Sequence, residues 1–249
     1  MIQDRCGEPV RAGSRRVGLA RDRAVRQAHD VLRASIRRGL LSRDNPLVEF
    51  RLARSLGMGR NAVRDVLKSL ADQGLVTRRP GVGTLVARQI FRVSAEEIVC
   101  FDDDFGDPAE RVVGKLLAVE SVEIGELLRD TLCLATGSMR VVEFLVLVDD
   151  EPLCLLAAYL PEGVDEELVT NKYESVAVSF QRLIGRPLGK VSTTIEAINA
   201  DPFAASVLGV APGAALILRE QVLHDPDGKV ALLTFARYRG DRVALTASN

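Results

Sequence analysis

The sequence predicts an α+β protein in two parts: an N-terminal winged helix-turn-helix, then a C-terminal domain with helices packed on an antiparallel sheet. Residues 48–87 hold two short helical patterns around a glycine turn, followed by a Gly-rich hairpin. From Val112 onward, strand patterns and short helical patterns alternate and include plain β-hairpins. Charge divides the 249 residues along the same line. Residues 1–92 hold 20 Lys+Arg against 8 Asp+Glu, formally +12, and residues 93–249 hold 13 against 26, formally −13. The total of −1 therefore conceals a strongly polarised chain. Basic density on a small N-terminal module is the footprint of a polyanionic partner, which would repel the acidic remainder.

Residues 1–20, with Gly7, Pro9, Gly13, Ser14 and Gly18 among several arginines, read as a flexible basic arm. Residues 21–90 read as a winged helix-turn-helix domain. Its first helix covers 21–38, with Val25, Ala28, Val31, Leu32 and Ile36 on one face and Gly39 as the stop. Ala53 is the small residue needed where two helices meet at a large angle, and Gly57 takes the positive φ of the turn. Leu52, Leu56, Met58, Val63, Val66, Leu67 and Leu70 recur at helical spacing on the inner faces. Arg60, Asn61, Arg64 and Lys68 fall outward on the second helix, and such side chains bond to phosphates and base edges. In the hairpin, Gly81 and Gly83 permit a tight turn whose amides can approach a phosphate, with Arg78 and Arg79 on the strand leading in. The plainer alternative is a helical hairpin with a solvated basic face. The hairpin tip argues against it.

Residues 91–109, with the run Asp102-Asp103-Asp104, Gly106 and Pro108, read as a linker. Residues 110–249 form the second domain, with strands over 112–123, 139–148, 153–160, 191–199, 215–224 and 230–238 and helices over 124–134, 174–184 and 202–208. Asp149-Asp150-Glu151-Pro152 turns one hairpin and Asp225-Pro226-Asp227-Gly228 another.

Several function classes lose support. No apolar run reaches the roughly 18–20 residues of a membrane span. The N-terminal residues lack the apolar core of a secretion signal, so a cytoplasmic protein is expected. A basic region could serve a membrane surface, but no Trp/Phe-lined amphipathic helix accompanies it. Cys6, Cys100, Cys133 and Cys154 show no Cys-x-x-Cys spacing, and the two histidines, His29 and His224, are not clustered. Reduced, mostly buried cysteines are expected, with a redox sensor as the alternative, and no metal or cofactor is expected. No Ser/His/Asp order, paired carboxylates or phosphate-cradling loop points to an enzyme.

These residues together resemble a GntR-family transcriptional regulator of the HutC subfamily, a winged helix followed by a UTRA effector domain. The first part rests on Glu49, Leu52-Ala53, Leu56-Gly57, Arg60, Val63-Arg64, Leu67, Leu70, Gly74-Leu75-Val76 and Gly81-x-Gly83-Thr84. The second rests on Asp149-x-Glu151-Pro152, Tyr159-Leu160-Pro161, Ser175, Gly185, residues 204–209, Pro212-Gly213, Asp227-Gly228 and Arg239-Gly240-Asp241-Arg242. The resemblance implies a homodimer that binds double-stranded operator DNA and answers to a small-molecule effector. Arg60 and Arg64 would contact the operator, Asn61 would read a base, and Gly81 would meet a phosphate or the minor groove. UTRA domains resemble chorismate lyase in fold, so a lyase-like enzyme is a further alternative that fold alone does not support.

Departures from the family pattern carry their own expectations. Leu47-Val48-Glu49-Phe50 replaces a Pro-Ser-Glu-Arg run, removing an arginine that helps hold DNA and a serine cap. Gly59 and Ala62 stand where relatives tend to carry Ser or Thr, so the operator should differ from the family's usual one. In the effector domain, Phe144 and Val146 replace the two arginines that hold phosphate in sugar-phosphate-sensing relatives. Ala157 and Leu232 replace acidic residues, and Ala177 replaces a tyrosine, while Ser175 and Tyr238 remain as polar handles. A phosphate there would be poorly compensated, so the effector is expected to be apolar or weakly polar, such as an antibiotic-like or lactone-like metabolite. The alternative is a DNA-bound regulator whose pocket is filled by its own side chains.

Overall fold

The computed structural model describes residues 12–41, 45–87, 90–95, 112–123, 137–162 and 176–247, with 125–126 and 129 besides. The chain divides into two compact units, residues 1–89 and 90–249.

The first unit is built on three helices, α1 (Ala12–Arg37), α2 (Glu49–Leu56) and α3 (Arg60–Asp72), and a hairpin of β1 (Val76–Arg79) and β2 (Gly83–Val86). Helix α1 starts nine residues before the expected Arg21, so much of the predicted arm is helical. Single glycines lower helix propensity by only about 1 kcal/mol relative to Ala. Gly13 and Gly18 do not outweigh the Arg, Leu and Ala around them. The part of the arm before residue 12 lies outside the described residues. Ala28, Leu32 and Ile36 are buried at a spacing of four, whereas Val31, expected among them, is 53% exposed. From α3, Val63, Val66, Leu67 and Leu70 are almost wholly buried. At roughly 1.5–3 kcal/mol for each fully buried aliphatic side chain, this stripe fixes which face of α3 is left outward.

The second unit centres on a six-stranded antiparallel sheet of order β4-β5-β6-β9-β8-β7. Its strands are β4 (Val112–Glu123), β5 (Ser138–Val148), β6 (Glu151–Pro161), β7 (Val191–Asn199), β8 (Ala215–His224) and β9 (Val230–Arg239). Helix α4 (Val176–Ile184) places Phe180 in the core on one face, with Val142, Phe144, Val146, Cys154, Leu156, Leu232, Ala236 and Tyr238. Helix α5 (Pro202–Leu208) covers the other face, packing Ala204, Ala205 and Leu208 on Leu145, Leu155 and Leu216. Neighbours such as Phe144 and Leu145 thus go to opposite cores, as the two-residue period of a strand requires. The helix expected over 124–134 lies almost wholly outside the described residues.

The expected linker over 91–109 is not all linker. Strand β3 (Phe91–Ser94) pairs in parallel with β10 (Val243–Thr246), aligning Phe91 with Val243 and Ser94 with Thr246. Phe91 and Val93 join the core of the second unit. A four-residue strand whose partner lies at the far end of the second unit leaves almost no local periodicity to read. The remainder of that stretch, from residue 96 to 111, is outside the described residues.

The β5–β6 hairpin shows how turn chemistry meets the family motif. Val148 pairs with Glu151, leaving a two-residue loop in which Asp149 and Asp150 have φ of 50° and 64°. Positive φ at both positions is what a type I′ turn demands, and Asp adopts it at some cost. The turn is clamped from the end of β9 and the turn that leads into β10: the buried Arg242 pairs with Glu151, and Arg239 Nη1 donates to the Pro152 carbonyl oxygen at 3.3 Å. Asp150→Gly should therefore raise the unfolding free energy by about 1 kcal/mol, read as a higher urea midpoint at unchanged slope. A lower midpoint would show that the Asp150 side chain contributes more than its backbone strain removes.

Candidate nucleic-acid interface and effector face

Helices α2 and α3 are joined at Gly57, which takes φ 63° and ends α2 in the left-handed conformation. Gly59 then starts α3 with extended backbone and no side-chain cap, and Val48 starts α2 in the same way. The first amides of α3 are thus not bonded by a cap side chain, and they face outward with the positive end of the helix dipole. That arrangement suits a phosphate.

Arg60, Asn61, Arg64 and Lys68 are all exposed. At about 100° per residue they lie within roughly 100° of arc on α3, opposite the buried stripe. In the wing, Arg79 pairs with Gly83 and Arg78 with Thr84, and the Val82 amide donates to the Arg79 carbonyl at 3.1 Å. Gly81 has φ 75° and Gly83 φ 114°, which side-chain-bearing residues adopt only with strain. Arg78, Arg79, Gly81 and Gly83 are exposed. The structure therefore gathers the expected residues on two outward surfaces, the face of α3 and the wing tip.

Two neighbours on α2, Glu49 of the family pattern and Phe50 in place of its arginine, hold the arginines of α3. Glu49 Oε2 accepts from Arg64 Nε at 2.8 Å. The guanidinium carbon of Arg60 lies 5.4 Å from the centroid of the Phe50 ring. Consecutive residues of α2 thus preset two guanidiniums one turn apart on α3.

In the second unit the expected effector residues do not all converge. Phe144, Val146, Leu232 and Tyr238 lie on one face and are buried in its core. Ala157 is on the opposite face, paired with Glu143 and Phe235. It cannot share a site with Phe144, because a shift of one residue on a strand changes the face. Ser175 and the side chain of Ala177 lie outside the described residues.

The same face buries polar groups that the sequence reading missed. Arg219 and Gln221, both 0% exposed, align with Ala236 and Thr234 on β9. Arg219 Nη1 donates to the Ser94 carbonyl oxygen at 2.6 Å, and its guanidinium lies 5.3 Å from the Tyr238 ring centroid. Gln221 Nε2 donates to Thr193 Oγ1 at 3.2 Å. The strand Leu218-Arg219-Glu220-Gln221-Val222 alternates polar with polar at its centre. Local pattern therefore could not reveal which pair is buried.

Cys154 is a free, fully buried cysteine beneath this face. Burial pushes its thiol up to about 12 from 9.0, against the smaller opposing pull of Arg219 and Arg237. A raised folded value means that the buried neutral thiol supports the fold fully below about pH 9. That support is lost as pH rises from about 9 to about 12. With the other three cysteines replaced by Ser, Cys154 should resist a thiol reagent at pH 8 until denaturant unfolds the domain. Rapid labelling of the native protein would contradict this. Cys6, Cys100 and Cys133 lie outside the described residues.

Residues 110–244 match the UTRA domain, and residues 24–86 match the bacterial regulatory proteins of the gntR family. The chain belongs to the GntR family of regulators that carry a UTRA domain. It is similar to the HTH-type transcriptional repressor NagR of Bacillus subtilis, 25% identical over 222 residues that cover 87% of this chain and 90% of NagR. The HTH-type transcriptional regulator Rv0792c of Mycobacterium tuberculosis is 28% identical over 238 residues, covering 88% of this chain and 83% of that one. PhnF from Mycobacterium smegmatis shares the fold, with a TM-score of 0.61 at 23% identity over 82% of this chain and 92% of PhnF. The protein is accordingly a DNA-binding transcriptional regulator, and its family is one of regulators rather than enzymes. Among the described residues, no helix is long and apolar enough to cross a membrane.

Proposed function

We propose that the protein is a cytoplasmic repressor that binds a palindromic operator as a homodimer and is released by a small, largely apolar effector. The observation that carries the reading is the outward face of α3, where Arg60, Asn61, Arg64 and Lys68 stand together and two of the arginines are already oriented. One helix-turn-helix contacts only a few base pairs, and two-fold pairing doubles the sequence that is read. The long edge strand β4 supports self-association, since its Leu116 and Leu117 are 43% and 36% exposed. Arg78, Arg79, Gly81 and Gly83 hold the backbone beside the groove that α3 enters.

For the effector, the apolar side chains Phe144, Val146 and Leu232 favour a ligand without a phosphate, in a domain that is already acidic. Such a ligand acts by its differential affinity for the DNA-competent and released dimers, typically about 1–3 kcal/mol. A regulator without an effector is favoured by a specific observation: Phe144, Val146, Leu232 and Tyr238 are themselves packed into the core. Sedimentation of the protein with its selected operator tests the dimer, and a monomer on an asymmetric site would end it. Calorimetry against glucosamine 6-phosphate tests the effector class. No binding is expected, and micromolar binding that releases operator would overturn it.

A further inference from the structure

The second residue of α2 is a phenylalanine that folding leaves 57% exposed. A phenyl ring gains its folding free energy from burial, so a ring half in water at the mouth of a basic face calls for another role. Its neighbour is the guanidinium of Arg60, the first residue of α3, with the carbon 5.4 Å from the ring centroid. That distance lies within cation–π range.

We propose that Phe50 is a specificity-determining residue of the DNA interface, acting by holding Arg60 in the orientation that reads a base pair. This rests on α3 being the DNA-reading element. A free arginine samples many rotamers, and ordering it at the moment of binding weakens the contact that it makes. Cation–π attraction to Phe50 orders Arg60 in advance. A cation–π contact occupies no N–H with a hydrogen-bond acceptor, so the guanidinium donors remain for the duplex. Those donors form the fork that bonds O6 and N7 of guanine together. Glu49 orders Arg64 through Nε alone, so its Nη groups also remain for the duplex. The two arginines lie about 6 Å apart along the helix, at roughly 1.5 Å per residue. They would address neighbouring base pairs with preset geometry. Phe50 itself acts through Arg60 and is a positioning residue.

The test uses the full-length protein, a randomised duplex library and affinities measured over a range of salt. R60A first identifies the half-site position that Arg60 reads. F50A should lower affinity for the selected operator by about 2- to 5-fold per half-site and flatten preference at that same position. Its salt dependence should match wild type, because no phosphate contact is removed. F50W, which keeps a π face, should retain wild-type preference, whereas F50L, which keeps apolar bulk alone, should behave like F50A. The double variant F50A/R60A should be no worse than R60A.

The proposal is overturned if F50A or F50L selects and binds as wild type does, if F50A weakens all duplexes alike, or if its effect adds fully to that of R60A. Thermal unfolding of F50L shows whether the fold is intact. A wild-type protein that selects no sequence would instead remove the reading of α3 on which the proposal stands.

Discussion

Arg64→Ala should lower affinity for the selected operator by about 1–3 kcal/mol per half-site and relax preference at one base-pair position. Arg64 stands on the outward face of α3, one turn beyond Arg60, and Glu49 holds it through Nε. The substitution removes a bidentate donor. It also leaves the Glu49 carboxylate facing a polyanion without its cation, so part of the loss is repulsion. Glu49→Gln should retain most of the binding while broadening base preference, because orientation is weakened and the donor is kept. Arg78→Ala on the wing should behave differently: all duplexes weaken alike, and the salt slope falls by about one unit. Indistinguishable behaviour of Arg64→Ala and Arg78→Ala across a duplex library would refute this division between the α3 face and the wing.

The largest expected effect on stability comes from Asp225→Ala, at about 2–4 kcal/mol. Asp225 is buried at the turn between β8 and β9. Its Oδ1 accepts from the amides of Asp227 and Lys229, both at 3.0 Å, and its Oδ2 accepts from Arg186, which also pairs with Asp227. Removing the carboxylate strands two amides in a turn that has no room to rearrange. Gly189 donates to the His224 carbonyl at 2.8 Å, and a Cβ at Gly189 would stand 2.4 Å from the Asp225 carbonyl oxygen. Asp225→Asn keeps one acceptor and should lose less. Denaturant unfolding should show the drop at an unchanged slope, and a midpoint within error of wild type for Asp225→Ala would contradict it.

The sequence was most legible where a pattern is local. Strand periods fixed β4, β7 and β8 to the residue, and Gly57 and Gly81 marked turns through the one property that distinguishes glycine, its tolerance of positive φ. The outward face of α3 followed from the buried positions Val63, Val66, Leu67 and Leu70, which leave Arg60, Asn61, Arg64 and Lys68 nowhere else to point. Pairings at long range were not legible. The β3–β10 pair joins the two ends of the second unit, and the buried Arg219 gives no local sign that Ser94 is its partner. The effector face failed at Ala157 for a related reason: strand pattern sets the period but not the register against which a family position is counted. The roles of Glu49 and Phe50 were missed because Glu49 counted only as a match to the family pattern and Phe50 only as the replacement of an arginine, rather than as neighbours of Arg64 and Arg60.

The central claim is that the N-terminal unit reads DNA sequence through α3. The most direct measurement is selection of bound duplexes from a randomised library by the full-length protein at physiological salt. The enriched duplexes should share a two-fold-related pair of half-sites about one helical turn apart, or a multiple of it, and Arg64→Ala should erase a defined position in each half. Enrichment of no sequence, or a wild-type motif that survives Arg64→Ala unchanged, would contradict it.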